Sequence, residues 1–215
     1  MTSSRWTPFA GIAFVVLYIA GWIISRSPDS SDPVEKIGAY YADKGHRVMM
    51  IVAAYILLAA GLMFLWFLGG LRSRLAAVEG GSFPLTTVAF AAGVVFVALL
   101  IGGVFALGAV PGNISFGKAK GTPSGEVVNT VQSLGFGMIL IGGMISAGVT
   151  IALTSFLTLR TRVFPSWIAW LGFLAAVALL FAVVFLPQIA LLIWVLAISG
   201  VMLARPAVAA PATMP

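Results

Sequence analysis

Few side chains in this sequence could carry out catalysis, and none of them stands at the spacing that a reactive site needs. The chain has a single histidine, His46, and no cysteine. A bis-imidazole haem site needs two histidines on facing helices, and a catalytic zinc site needs about three protein ligands. Neither site can be built within this chain. We therefore interpret His46 as an interfacial polar residue and predict no metal and no cofactor.

A glycine-rich loop at residues 112–119, GNISFGKA, is one residue short of a phosphate-binding P-loop. The missing Ser or Thr would be the magnesium ligand, and the motif also needs a strand before it and a helix after it. Because this segment joins two apolar runs, we reject a nucleotide site. The twelve Lys and Arg are scattered through short connections rather than gathered on one stripe, which argues against a nucleic-acid partner.

A ridge of small and hydroxyl side chains is the most regular polar feature of the apolar segments. It recurs every four residues along the fourth predicted helix, at Gly142, Ser146, Thr150, Thr154 and Thr158. Small residues let helices approach closely, and hydroxyls can bond across to a neighbour or back to their own carbonyls. Packing against another helix is the favoured interpretation, and a substrate path is the alternative.

Two amides stand at the outer end of the same predicted helix. Asn129 and Gln132 are candidates for a pocket mouth, with packing again the favoured interpretation. Gly93, Gly102 and Gly103 lie on the third predicted span, which we therefore expect to be the neighbour of the ridge.

These residues are positioned by segments whose composition indicates a membrane protein. Hydrophobic residues make up 61% of the chain and charged residues 8%, where soluble proteins carry roughly a quarter charged residues. About 20 apolar residues cross the hydrocarbon core of a bilayer. The sequence predicts an all-α, polytopic bundle of six transmembrane helices in one membrane domain, with spans at about 8–24, 48–71, 85–110, 129–159, 167–186 and 188–204 and a flexible tail at 206–215. One long kinked helix is the alternative for the last two spans.

The polar segment after the first span predicts a short amphipathic helix on the membrane surface. Asp32, Pro33 and Glu35 form a helix start, with a capping side chain, a proline at the first helical position and an acid in the first turn. Val34, Ile37 and Tyr41 follow at helical spacing, and Gly45 suits a stop. A tether between spans is the favoured role for this helix, and a lid over a pocket is the alternative.

Two LRxR pairs, Arg72 with Arg74 and Arg160 with Arg162, stand directly at the ends of the second and fourth predicted spans. The six-span arrangement puts six basic residues on each side, so a count does not fix the orientation. The placement of the paired arginines does indicate the orientation, because the positive-inside rule acts most strongly in short loops at helix ends. We predict that both pairs, and both termini, face the cytoplasm. A binding role for these arginines is the alternative.

Three stretches carry a resemblance to a known group: DPVEKIGAYYAD after the first span, FLGGLRSRL at the end of the second and RVFPSWIAWLG at the start of the fifth. They resemble small actinobacterial multi-pass membrane proteins that are grouped as domains of unknown function. The resemblance covers most of the chain and implies a bacterial cytoplasmic membrane protein. It implies no activity.

The spans carry no Asp, Glu, Lys or Arg away from their ends, which disfavours proton-coupled carriers and membrane enzymes. The hypothesis that we favour is a non-catalytic membrane protein, either an accessory or interaction subunit or a binder of an apolar, lipid-like molecule. The alternative is a small facilitator or channel for neutral or lipidic solutes. The expected partners are the lipid bilayer and a membrane protein or a second copy of this chain.

Overall fold

Each long apolar run forms a helix, because a backbone in hydrocarbon must satisfy its hydrogen bonds within its own segment. The computed structural model describes residues 6–25, 32–79, 84–117, 124–182 and 186–204. The predicted tail at 206–215 lies outside these residues. The helices are α1 (Thr7–Ile24), α2 (Val34–Ala42), α3 (Lys44–Ala76), α4 (Leu85–Phe116), α5 (Gly125–Phe136), α6 (Met144–Thr161), α7 (Ser166–Leu179) and α8 (Ile189–Ala204). A π-helical segment, Gly137–Gly143, joins α5 to α6, and a 3₁₀ turn, Leu186–Gln188, precedes α8.

The all-α class is confirmed, since the described residues contain no strand. Five helical segments are long and apolar enough to cross a membrane: Thr7–Ile24, Lys44–Ala76, Leu85–Phe116, Gly125–Thr161 and Leu186–Ala204. The remaining apolar helix, α7, has 14 residues. At 1.5 Å per residue it is about 21 Å long, less than the ~30 Å of hydrocarbon. Six crossings therefore stay a prediction.

The helices form a ring in which neighbours in sequence pack on each other. α1 packs on α3, α3 on α4, α4 on α5 and α6, α6 on α7 and α7 on α8, and α8 closes the ring by packing on α1. Aromatic side chains fill the core between α1, α3 and α4. The Phe14 ring centroid lies 4.7 Å from that of Phe64 and 6.4 Å from that of Phe96, and Phe64 also lies 5.8 Å from Phe67.

The last two helices lie side by side rather than end to end. A Cβ atom at Gly172, in the middle of α7, would lie 2.8 Å from the indole Nε1 of Trp194 on α8. In one continuous helix these two positions would be about 33 Å apart. The chain therefore reverses direction between α7 and α8, as the hairpin interpretation of Pro187 requires.

Helix boundaries near the first loop differ from the sequence prediction. α2 begins one residue later than predicted: Pro33 is its N-cap, and Asp32 instead accepts a bond from the Lys36 ammonium 2.7 Å away. Gly45 does not end a helix, because Asp43 caps α3 and places Gly45 in its first turn. The side chain of Val34 lies outside the described part of the structure.

Membrane orientation can be tested with cytoplasm-only reporters. We expect a reporter fused after Arg162 to give signal and one inserted near Gly121 to give none, because the paired arginines hold their helix ends inside. A reporter at the C-terminus then counts the crossings. Signal there requires both α7 and α8 to cross the bilayer, whereas no signal would mean that only one of them does. Signal at position 121 with none after 162 would reverse the assignment.

Candidate functional site

The predicted ridge begins in the π-helical segment, at Gly142, and continues along α6 on the side that packs on α4. Thr150, Thr154 and Thr158 are buried, whereas Gly142 and Ser146 are only half-buried. The Thr150 hydroxyl donates to the backbone oxygen of Ala89, 3.0 Å away on α4, and so bonds across to a neighbouring helix. The Ser146 hydroxyl bonds back to the Gly142 carbonyl at 2.8 Å. These contacts fit the packing interpretation of the ridge.

Glycines allow α4 and α5, the first part of the fourth predicted span, to approach each other closely. A Cβ atom at Gly103 would lie 2.7 Å from the backbone oxygen of Gly135, and one at Gly135 would lie 2.9 Å from the backbone oxygen of Gly103. Gly102 faces Met138 in the same interface. The prediction that these glycines face the fourth span thus holds for Gly102 and Gly103. It fails for Gly93, which packs against Leu68 of α3 instead.

The candidate pocket mouth is covered by α2. Gln132 is buried, and its Nε2 donates to the hydroxyl of Tyr41 at 2.7 Å; Asn129 is half-buried. Tyr41 and Ile37 are 0% and 1% exposed and pack with Met50, Val110 and Val128. Ile37 and Tyr41 of the apolar stripe predicted for α2 are therefore buried against the bundle.

Polar contacts fix the junction between α2 and α3. The Arg47 Nη1 donates to the backbone oxygens of Tyr41 and Ala42, at 2.6 and 2.7 Å, where α2 ends. Asp43 accepts from the backbone N–H of His46 at 2.9 Å, and this bond lowers the pKa of the Asp43 carboxyl below its ordinary value. The His46 imidazole stacks on Tyr40 with the ring centroids 4.2 Å apart. His46 thus contacts both sides of the junction between α2 and α3.

Gln188 is a second buried amide, and the sequence did not predict it as a site residue. The Tyr18 hydroxyl of α1 donates to Oε1 of Gln188 at 2.6 Å, in the turn before α8. Both side chains are buried. The only sequence signal was a lone glutamine after Pro187 at the junction of two apolar runs, which does not identify its partner.

A small cleft opens between α3, α4 and α6 near the LRxR end of α3. It is lined by Leu68, Leu71, Arg72, Leu75, Thr86, Ala89, Phe90, Thr150 and Thr154. The Arg72 guanidinium lies over the Phe90 ring, 5.4 Å from its centroid. The Glu79 carboxylate accepts from the backbone N–H of Thr86 at 3.1 and 3.2 Å, which satisfies a free donor at the start of α4.

The other three arginines that are predicted to set the membrane orientation lie at helix ends and do not line this cleft. Arg74 and Arg160 stand in the last turns of α3 and α6. Arg162 has a left-handed backbone, with φ of 55°, and its N–H bonds the Thr158 carbonyl at 2.8 Å to close α6. Within the described ranges, no group of three or more His, Asp or Glu side chains is arranged to hold a metal ion.

No protein-family model, curated protein or solved structure matches this chain. The resemblance to the actinobacterial membrane group therefore stays a prediction.

Substitutions on the ridge separate packing from a solute path. We expect Gly142→Leu to lower the stability in detergent by about 1 kcal/mol, the low end for overpacking, because its Cβ would meet only the movable end of Leu99, 3.0 Å away. Thr150→Val should cost about 0.6 kcal/mol, the average for an interhelical hydrogen bond in membranes. Thermal unfolding of the two variants measures both values. A change in solute flux without a loss of stability would favour the path.

Proposed function

We propose that this protein is a non-catalytic integral membrane protein that works through its outer surface, as an accessory or interaction subunit or as a binder of an apolar, lipid-like molecule. A closed cluster of aromatic side chains supports this proposal. Phe14, Phe64, Phe67 and Phe96 are all 0% exposed and touch one another between α1, α3 and α4. A molecule crossing the bundle between these three helices would have to displace these rings, whereas a partner or lipid at the outer surface would not.

The proposed setting is a bacterial cytoplasmic membrane with both termini inside. The bilayer is the immediate partner, and a second membrane protein or a second copy of the chain is the further one. Side chains on the outside of the ring support the bilayer as a partner, since Trp66, Phe105, Trp170 and Leu174 are exposed at 51–70%. Large apolar side chains are stable at such exposure when lipid or another apolar surface covers them.

Native mass spectrometry of the protein in a mild detergent tests this proposal. We expect the intact protein to carry a stoichiometric added mass, either another subunit or a lipid-like molecule that survives washing. Reconstituted protein should let glycerol and urea pass no faster than protein-free liposomes. Solute flux clearly above the empty liposomes, with no retained mass, would contradict the proposal.

A small facilitator for neutral solutes is the second candidate, supported by buried polar groups in the core. Thr154, Ser155, Thr158, Trp194 and Ser199 have a buried side-chain polar atom with no hydrogen-bond partner in the part of the chain that the structure describes. Such atoms are costly in a dry core, and water or a polar solute would satisfy them. In the flux assay, Ser199→Ala should slow transport if this candidate is correct.

A further inference from the structure

The cleft between α3, α4 and α6 has polar groups that its protein neighbours do not satisfy. Thr86 and Thr154 line it, are 3% and 1% exposed, and have hydroxyl oxygens with no hydrogen-bond partner among the described residues. Thr150 differs, because its hydroxyl already donates to the Ala89 carbonyl. Two hydroxyl donors therefore stand at the floor of one cleft, free to rotate toward an acceptor.

The rim of the cleft carries a positive charge for which the described residues supply no acidic partner. Arg72 is exposed and lies over Phe90, and the described residues contain no ion pair to its guanidinium. Glu79, which follows the end of α3, accepts from the Thr86 backbone N–H instead. A guanidinium with free donors is suited to the oxygens of a phosphate or carboxylate.

Size limits what can enter the cleft. The space between atoms is about 190 Å³, counting the side open to the surroundings, but the centre of a water-sized sphere can occupy only about 10 Å³ of it. That is roughly the room that one water needs. One oxygen atom can therefore reach the floor, while the rest of a ligand must stay outside, beside Arg72.

We propose that this cleft binds a phosphate-type oxyanion, with one oxygen between the Thr86 and Thr154 hydroxyls and the remaining charge on the Arg72 guanidinium. Arg72 stands near the end of α3 and Thr86 at the start of α4, at the depth where apolar helices meet the headgroup layer. A phospholipid headgroup supplies such an oxyanion there, and basic clefts between membrane helices bind lipid headgroups. The Glu79 carboxylate at the same helix end favours a singly charged phosphodiester over a dianion.

Titration of the full chain in a phosphate-free maltoside detergent tests the site. The probes are phosphatidylglycerol, phosphatidylcholine and inorganic phosphate, and the readouts are the bound lipid mass and the melting temperature. We expect phosphatidylglycerol to bind more tightly than phosphatidylcholine, whose choline group offsets its charge. Arg72→Gln should weaken phosphatidylglycerol binding at least about tenfold more than Arg74→Gln, since a direct bond to a charged group is lost as well as a surface charge.

Arg74→Gln is the matched control, because it removes the same charge two residues away, outside the cleft lining. Thr86→Val with Thr154→Val keeps the side-chain shape, should preserve the fold and should weaken binding several-fold. Arg72-dependent binding of inorganic phosphate as tight as that of phosphatidylglycerol would support the site and identify a soluble ligand. Equal losses for Arg72→Gln and Arg74→Gln, or no effect of the threonine pair, would overturn the proposal.

Discussion

Gly103→Ala is expected to lower the free energy of unfolding by about 1–3 kcal/mol, although alanine is the better helix former. The added methyl group would lie 2.7 Å from the backbone oxygen of Gly135 and would also overlap Ile139. A backbone atom cannot rotate away as a side chain can, so α4 and α5 must separate. Unfolding of the detergent-solubilised protein, followed by circular dichroism, measures the loss.

Gly108→Ala is the matched control on the same helix. Its methyl group would meet only the Cβ of Ala54, at an ordinary contact distance of 4.0 Å. Here the higher helix propensity of alanine should dominate and raise stability by up to about 1 kcal/mol. The two substitutions are thus expected to change the free energy of unfolding in opposite directions. A loss of stability at both positions would mean that α4 tolerates no added methyl group, and the special role of the Gly103–Gly135 contact would be rejected.

Ile37→Asp combined with Tyr41→Asp is expected to release α2 from the bundle. Both side chains are buried, and Tyr41 also accepts the bond from Gln132. Burying two carboxylates without partners costs several kcal/mol, more than undocking a helix of nine residues. Protease cleavage around Asp43 should therefore become at least tenfold faster, while membrane insertion and the melting of the long helices change little.

A variant with the same added charge shows whether burial causes this effect. Ala39 and Ala42 are exposed on the other side of α2, so Ala39→Asp with Ala42→Asp adds two carboxylates without burying either one. Cleavage around Asp43 should stay close to that of the unchanged protein. Similar cleavage of both double variants would show that charge alone loosens the segment, and the docked position of α2 would have to be abandoned.

Sequence periodicity predicted the helices and the buried stripe of α2, because these features depend on local composition. Long apolar runs must be helical in hydrocarbon, and a spacing of three to four residues places Ile37 and Tyr41 on one face. The ridge of α6 was found in the same way. Its buried half, from Thr150 to Thr158, faces protein, whereas Gly142 lies at a looser contact than expected.

Contacts between distant segments could not be predicted from periodicity. The bond from Tyr18 to Gln188 joins residues 170 positions apart, and that from Gln132 to Tyr41 joins residues 91 positions apart. The Arg72 cleft likewise needs three helices to meet. The shifted start of α2 is a different case: a proline fits both as the N-cap and as the first helical residue, and the side chain of Asp32 bonds Lys36 rather than the helix end.

The π-helical segment between α5 and α6 bears on how the length of this chain can change during evolution. A π-helix holds more residues per turn than an α-helix, so a short π-helical segment can absorb one inserted residue. Deleting one residue within Gly137–Gly143 would restore a regular α-helix and leave Gly135 and Thr150 both facing α4. The same deletion within α6 would turn every later side chain by about 100° and move Thr154 away from α4. Natural variation in the length of this span should therefore be concentrated in these seven residues.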